Sequence, residues 1–216
     1  MSEPKMQTNL DTNLLKLIAI ISMTIDHIGY IFFPENPIFR WVGRLAFPIF
    51  CYCLTVGLMY SHDMKKYLLR LLLFAIISQP LYALAFNFNI LSEPNIFFTL
   101  FISLLSVYNL INKKYWIFIL GFITLLFLPF DYNTTGIFFM LIFYYFKNKP
   151  QTCKLIYVVF CVLISLLSPF MIFALLAFPL LFIKTSSNFK ISKWFFYVFY
   201  PLHLLTLFIC RILIGV

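Results

Sequence analysis

The sequence predicts an all-α fold, a polytopic bundle of about nine transmembrane helices, on three observations. Hydrophobic residues make up 63% of the 216 residues, and the mean hydropathy of +0.97 exceeds what a soluble domain of this length can bury in one core. The apolar residues form runs close to the roughly 20 residues that cross a bilayer as a helix. Short polar breaks separate the runs, so we expect one transmembrane domain over residues 1–216 with a polar N-terminal tail at 1–13.

The apolar runs define the individual spans. Several are shorter than the roughly 20 residues of a perpendicular helix, so we expect some helices to be tilted, half-buried or re-entrant. In chain order the predicted spans are residues 14–33, 42–60, 67–86, 96–111, 115–130, 135–147, 153–168, 170–184 and 192–213.

The first span carries an acid and a histidine, Asp26 and His27, deep inside a segment otherwise suited to lipid. Ionisable residues at bilayer depth are costly, so they usually face a bundle interior and mark a functional path. The alternatives are that Asp26 merely ties helices together by hydrogen bonds and that His27 is an ordinary core residue. Because neighbouring helical positions point about 100° apart, we expect Asp26 to pair with Arg44 or another span rather than with His27.

The first outer loop contains Arg40 and Arg44, four residues apart. On a helix the two side chains share a face and could grip one anionic or carbonyl group together. The alternative is that both extend to the membrane interface. We therefore treat Arg40 as a candidate substrate-binding residue and Arg44 as a candidate catalytic one.

The first cytoplasmic loop contains a basic cluster, Lys65, Lys66 and Arg70. The simplest interpretation is that these residues supply the positive charge that keeps a loop on the cytoplasmic side of the membrane. The same cations would also meet the phosphates of a cytosolic cofactor. They are our candidate cofactor-binding residues.

Two further polar breaks carry candidate substrate-binding residues. Asn95 stands at the start of the fourth span, where a helix N-cap is the favoured interpretation. Asp131 and Tyr132 lie in the turn DYNTTGIFF, and Asp131 also suits a helix cap.

The last span contains Tyr200, Pro201 and His203. A proline inside a helix removes a hydrogen bond, so we predict a helix break near the middle of the bilayer. A second intramembrane histidine beside this break makes Tyr200 and His203 candidate catalytic residues.

Charge and cysteine usage exclude other classes of protein. The net charge is +9. The basic residues lie in short loops, as residues that set the orientation of a membrane protein do, so no nucleic-acid partner is predicted. The five cysteines lie in apolar runs without metal-ligand spacing, which predicts buried thiols and no metal site. We expect a multi-pass protein of the bacterial cytoplasmic membrane, surrounded by lipid, with a cytoplasmic N-terminus.

Orientation follows from the lysines and arginines. Arg40, Arg44 and Arg211 fall on the outer side, where topology gives no reason for them. The basic residues expected on the cytoplasmic side are Lys5, Lys16, Lys65, Lys66, Arg70, Lys113, Lys114, Lys147, Lys149, Lys154, Lys184, Lys190 and Lys193.

The expected chemistry follows if the polar residues of the first and last spans converge. The pKa range of histidine suits general-base duty near neutral pH, so His27 would take a proton from an incoming amine or hydroxyl. Arg44 or the Tyr200 hydroxyl would stabilise an oxyanion.

Several runs together resemble the TraX family, membrane proteins of conjugal transfer that include the F-pilin N-acetylase. The runs are LKLIAIISMTIDHIGYIFFP, FRWVGRLAFPIFCY, KKYLLRLLLFAIISQPLY, NIFFTL, DYNTTGIF and FYPLHLLTL, and they cover nearly the whole chain in order. Asn133 departs from the pattern, which has glycine in this turn. The matching residues are Asp26, His27, Arg40, Gly43, Arg44, Lys66, Tyr67, Arg70, Asn95, Thr99, Asp131, Tyr132, Gly136, Tyr200, Pro201 and His203.

The resemblance implies an acyltransferase-like domain that moves acetyl from cytosolic acetyl-CoA to an extracytoplasmic acceptor, with an essential histidine. The implied acceptor is an amine or hydroxyl of a pilin-like protein or an envelope glycan. Two other functions stay open. A proton-coupled transporter would use Asp26 and His27 as a relay, and a non-catalytic partner in pilus or envelope assembly would need the apolar surface alone.

Overall fold

The protein is all-helical over the residues that the computed structural model describes, 8–187 and 191–215, and the predicted all-α class is confirmed. Lys5 and Lys190 lie outside these residues. The helices are α1 (Thr12–Phe32), α2 (Pro37–Gly43), α3 (Ala46–Tyr60), α4 (Met64–Phe86), α5 (Ile96–Ile111), α6 (Tyr115–Phe127), α7 (Thr135–Tyr145), α8 (Pro150–Ser165), a 3-10 helix (Pro169–Ala177), α9 (Phe178–Phe182) and α10 (Lys193–Ile214).

This is a membrane protein with four candidate spans in the part of the chain that the structure describes. Each of the nine predicted runs falls on helical structure. Of these, Thr12–Phe32, Pro37–Tyr60, Met64–Phe86 and Trp194–Ile214 are long and apolar enough to cross a membrane. The remaining helical segments are apolar but shorter than a bilayer-spanning helix.

The helix starts follow from local sequence. Asp11 caps α1 by accepting a hydrogen bond from the backbone N–H of Leu14, and Asn36 caps α2 through Ile38, with Pro37 in the first turn. These are the residue types that satisfy the unpaired donors of a first helical turn. The segment predicted as an outer loop is therefore largely helical.

The last span is a correction to the prediction. Helix α10 runs without interruption from Lys193 to Ile214, with Pro201 inside it. Proline costs a helix one backbone hydrogen bond and some bending, and packing can compensate for that cost without ending the helix. Pro80 is accommodated in α4 in the same way.

The chain divides into two compact units. The first consists of Met1–Val56 and Phe139–Ile191, and the second of Gly57–Phe138 and Ser192–Val216. Each is described by itself below.

A set of hydrogen bonds, the polar clasp, joins the start of α1 to other segments of the first unit. The Asn9 side-chain amide donates to the Leu180 carbonyl at 2.9 Å and to Thr185 Oγ1 at 3.0 Å. Asp11 accepts hydrogen bonds from the backbone N–H and the hydroxyl of Ser187 at 2.6 and 2.8 Å. Tyr52 donates to the Asn9 carbonyl. The N-terminal segment is therefore tied to residues far along the chain.

Helices α4 and α10 lie side by side and run in the same direction in the second unit. Phe74 in the middle of α4 stacks on Tyr197 in the first half of α10, with 5.2 Å between ring centroids. Near their ends, Arg211 Nη1 donates to the Ala85 carbonyl at 3.4 Å. The shared direction agrees with the expected topology, in which both helices start at the cytoplasmic side.

The loop after α4 folds back along that helix. Gln79 donates from Nε2 to the carbonyls of Ile90 and Glu93 at 2.8 and 2.9 Å. Asn95 donates from Nδ2 to the Ala75 carbonyl at 2.8 Å. Helix α5 consequently begins beside the middle of α4.

Candidate functional site

A buried carboxylate held by two arginines is the main polar feature of the first unit. Arg40 Nη1 lies 2.9 Å from Asp26 Oδ2. Arg44 Nη2 lies 3.2 Å from Asp26 Oδ1 and 3.5 Å from Oδ2. The predicted pairing of Asp26 with Arg44 is confirmed, and the two arginines do grip one anionic group, which is Asp26 itself.

Two glycines allow the helices to approach closely enough for these ion pairs. A Cβ added to Gly43 would lie 2.1 Å from Asp26 Oδ1, and one added to Gly29 would lie 2.0 Å from Phe39 Cβ. Neither distance leaves room for a further side chain, so at each point the glycine of one helix packs directly against a side chain of the other. The motifs IDHIG and GRLAFP thus supply both the charges and the close contact between the helices.

Each arginine of the cluster has a further contact. Arg44 Nε donates to the Arg40 carbonyl at 3.3 Å, which links the guanidinium to the end of α2. Arg40 lies over the ring of Tyr30, with 5.2 Å from Cζ to the centroid. A cation over an aromatic face adds a modest attraction. Both arginines are therefore oriented by more than the carboxylate.

Burial strengthens these charge interactions. The Asp26 and Arg44 side chains are 12% and 13% exposed, whereas that of Arg40 is 34% exposed. Screening by water is weak at the first two groups, so their attraction is larger than that of a surface pair. With two guanidinium groups around one carboxylate, the cluster carries a formal excess of one positive charge, which favours an approaching anion or oxyanion.

His27 is buried next to this cluster in the sequence, with 9% of its surface exposed. As the following residue of α1, it projects about 100° around the helix from Asp26. The two side chains therefore point in different directions from the helix axis. The role of His27 as a base stays a prediction.

The predicted cofactor-binding residues lie at the start of α4 in the second unit. Lys66 Nζ pairs with Asp63 Oδ2 at 3.1 Å, and Lys65 is exposed. Hydrogen bonds from the Lys66 backbone and side chain lower the pKa of Asp63. Arg70 is only half-exposed and lies against the Tyr67 ring, 5.8 Å from Cζ to the centroid. Lys65 and Lys66 are therefore more accessible to a phosphate than Arg70.

Asn95 has a structural role. Its Oδ1 accepts from the backbone N–H of Phe97 at 3.0 Å, and its Nδ2 donates to Ala75 and to Gln79 Oε1. It is fully buried. The helix-cap interpretation is confirmed, and these bonds account for the side chain without a substrate.

The predicted turn at residues 131–136 contains an unexpected partner. Tyr82, near the C-terminal end of α4, donates to Asp131 Oδ2 at 3.3 Å. Tyr132 and Asn133 both have positive φ, 61° and 43°. Asparagine tolerates this left-handed region better than most residues, so Asn133 can occupy a position where glycine is expected.

Tyr200 and His203 lie together on one side of α10. Tyr200 stacks on Phe97 at 4.3 Å between centroids, and its ring lies 5.2 Å from that of His203. His203 Nδ1 is 3.2 Å from the Phe199 carbonyl, and its ring stacks on Phe199. Both residues are buried. Packing thus fixes the orientation of the imidazole.

The structure brings Asp26 together with Arg40 and Arg44, and Tyr200 together with His203. The pair Tyr82 and Asp131 lies close enough to Tyr200 for an electrostatic interaction. The first group belongs to one unit and the other two to the second. The convergence of His27 with Tyr200 and His203 stays a prediction. Among the described residues, no three His, Cys, Asp or Glu side chains are grouped as a metal ion would require.

Sequence reasoning missed Tyr82, Gln79 and Gly29. Gly29 stands three residues after Asp26, and this spacing on one helix face was the available signal for a close helix contact. The partners of Gln79 and Tyr82 lie in loops, and no periodic pattern in the sequence points to them.

Comparison with known proteins gives three results. A family model described as "TraX protein" matches residues 11–211. A probable fimbrial assembly protein, FimC of serogroup H1 from Dichelobacter nodosus, is 30% identical over 92% of this chain and 96% of its own length. An uncharacterised protein of Rickettsia prowazekii (strain Madrid E) is 55% identical over 18% of this chain and 16% of its own length. No solved structure matches the chain.

Proposed function

The chain belongs to the TraX family, and from this premise we propose that it is an integral-membrane acetyltransferase. It transfers acetyl from cytosolic acetyl-CoA to an amine or hydroxyl of an extracytoplasmic acceptor. The protein lies in the bacterial cytoplasmic membrane with its N-terminus in the cytoplasm. This orientation follows from the lysines in the predicted cytoplasmic loops.

The observation that carries the proposal is the Asp26–Arg40–Arg44 cluster beside His27. Charged groups inside a membrane protein are costly, and two arginines on one buried acid are more than a helix contact needs. The cluster has a formal charge of +1 and a rigid frame of two closely packed helices. Such a frame suits a reaction in which negative charge develops on a carbonyl oxygen.

In the proposed reaction His27 takes the proton from the acceptor N–H or O–H. The acceptor nitrogen or oxygen forms a bond to the acetyl carbonyl carbon, and the carbon–sulfur bond of acetyl-CoA breaks. The thiolate of CoA leaves and takes up the proton that His27 removed from the acceptor, which returns His27 to its neutral form. Arg44 stabilises the oxyanion that forms on the carbonyl, while Asp26 orients both arginines.

The donor and the acceptor approach from opposite sides in this proposal. Lys65 and Lys66, exposed at the start of α4, suit the phosphates of CoA, which cannot enter hydrocarbon. The acceptor meets the Arg40 end of the cluster, where the side chain is a third exposed. The name of the Dichelobacter relative supports a pilus subunit as the acceptor, and an envelope glycan is the other class.

A proton-coupled transporter receives less support from the geometry. A relay carboxylate must take up and release protons, and Asp26 would have to give up two arginine partners in each cycle. In a non-catalytic assembly partner the cluster would serve only to hold α1 and α2 together.

Purified protein in lipid nanodiscs, incubated with acetyl-CoA labelled in the acetyl group, tests the proposal. We expect hydrolysis of the thioester or transfer to an added amine, and a loss of roughly 10² to 10⁴ in rate for His27→Ala. His62→Ala is the matched control, since His62 is exposed before α4. Equal rates in the two variants would remove His27 as the base. Solute uptake into proteoliposomes without turnover of acetyl-CoA would instead support the transporter.

A further inference from the structure

A cavity of about 580 Å³ lies between the C-terminal halves of α4 and α10 and the loop that follows α4. Its volume is within the range of sites that hold small organic ligands. Pro80 and Ala83 on the α4 wall have short side chains, which leaves this space open. The cavity lies wholly within the second unit.

Most of the cavity wall is apolar, and much of it is exposed at the outer surface of the helices. Leu84, Ile90 and Ile212 line it with 48%, 46% and 63% of their surfaces exposed. Phe208 contributes an aromatic side. In a membrane such side chains meet acyl chains, and a recess between helices holds a chain in one place.

One cation stands on this apolar wall. Arg211 lines the cavity in the last turn of α10, and its Nη1 donates to the Ala85 carbonyl at 3.4 Å. Asn87 adds an amide at the same end, directly after α4. None of the described residues that line the cavity is acidic. Arg211 is therefore the charged side chain among the described residues that line the cavity.

The place of Arg211 fits a phosphate at the membrane surface. It lies in the last turn of a candidate span, at the depth where lipid head groups begin. Guanidinium is always charged and matches the oxygen atoms of a phosphate. A cation in a last helical turn also interacts with the helix dipole, but that interaction does not require an apolar recess beside it.

We propose that this cavity binds one molecule of an anionic phospholipid. Its phosphate lies on Arg211, and one acyl chain lies along Leu84, Phe208 and Ile212. The site is separate from the proposed acetyl transfer and does not depend on it.

Fluorescence quenching by brominated lipids tests this site. In a background with Trp41, Trp116 and Trp194 replaced by phenylalanine, one tryptophan is placed at Leu84 and, as the matched control, at Leu73. Both leucines lie on α4 with 48% exposure, and Leu73 is not among the residues that line the cavity. Each protein is measured in vesicles that contain brominated phosphatidylglycerol or brominated phosphatidylcholine at equal mole fraction.

We expect phosphatidylglycerol to occupy the Leu84 site about fivefold in excess of phosphatidylcholine, since one basic residue at an anionic surface contributes about 1 kcal/mol. No such preference is expected at Leu73. Arg211→Gln should abolish the preference at Leu84. In the protein with Arg211 intact, equal quenching by the two lipids at Leu84, or the same preference at Leu73, would overturn the proposal. This part of the test does not depend on the folding of the Arg211→Gln variant. A preference that persists in Arg211→Gln would also overturn it.

Discussion

Gly43 lies so close to Asp26 that its missing side chain sets the distance between two helices. A Cβ at Gly43 would stand 2.1 Å from Oδ1 and 2.4 Å from Cβ of Asp26. Because the Asp26 side chain fills this space, a side chain at position 43 would displace the carboxylate from Arg40 and Arg44.

The first prediction is that Gly43→Ala disrupts the cluster. Overpacking of this kind costs about 1–3 kcal/mol, so the melting temperature in detergent should fall and acetyl transfer should fall with it. Ile38→Ala on the same helix is the control, because Ile38 is 55% exposed and should change little. Unchanged stability of Gly43→Ala would mean that α1 and α2 are not packed as closely as described.

The second prediction concerns the strength of the two ion pairs. A double-mutant cycle of Asp26→Asn with Arg44→Gln should give a coupling of roughly 0.5–3 kcal/mol in urea or thermal unfolding. The same cycle with Arg40→Gln should give less, because the Arg40 side chain is 34% exposed against 13% for Arg44. A larger coupling for Arg40 would contradict this order.

The third prediction tests the turn after Asp131. Asn133 has a φ of 43°, where a β-branched side chain costs about 1–2 kcal/mol. We expect Asn133→Val to unfold at lower temperature and Asn133→Gly to be as stable as the parent protein or more stable. The reverse order of the two melting temperatures would show that the left-handed backbone is not kept in solution.

The fourth prediction is a pH dependence at the start of α1. Burial acts to raise the pKa of Asp11, but hydrogen bonds from Ser187 and Leu14 outweigh it, and the pKa is lowered on folding. A lowered pKa means that Asp11 stabilises the folded state above its unfolded value near 3.9 and that this stability is lost as the pH falls through the folded value. As the pH is lowered from neutral to acidic, the melting temperature of Asp11→Asn should therefore fall less than that of the parent protein. An equal fall of the melting temperature in the two proteins would exclude a contribution of Asp11 to the pH dependence of stability.

The fifth prediction concerns the donor. Replacing Lys65 and Lys66 together by alanine should raise the apparent KM for acetyl-CoA with little change in kcat, because phosphate contacts act on binding rather than on the chemical step. The control is the matching pair Lys113 and Lys114, which is also exposed. An equal rise in KM for both pairs would indicate general charge attraction instead of a binding site.

Much of the fold could be predicted because its signals are local. Apolar runs located the helical segments other than α2, and the spacing of Arg40 and Arg44 predicted that both would meet one anionic group, which is Asp26. Asn95 was expected to cap α5 and does so. These features depend on residues within one or two helical turns of each other.

The remaining features depend on packing between distant segments. The bond between Tyr82 and Asp131 joins residues 49 positions apart, and nothing in either segment specifies the other. Pro201 was expected to break its helix, but the surroundings of α10 decide whether the loss of one hydrogen bond is tolerated. The number of spans also stays a prediction, since apolar helices shorter than a bilayer cannot be told by composition from those that cross it.

The clasp at Asn9 has a consequence for biosynthesis. Its partners, Leu180 and Thr185, follow it by 171 and 176 residues, so a ribosome has made most of the protein before the first segment meets them. All of residues 57–138, which belong to the other unit, are synthesised in the interval. The first unit therefore cannot complete its folding during early membrane insertion, and a nascent chain that stops before residue 180 leaves the polar groups of its own N-terminal segment without their native partners.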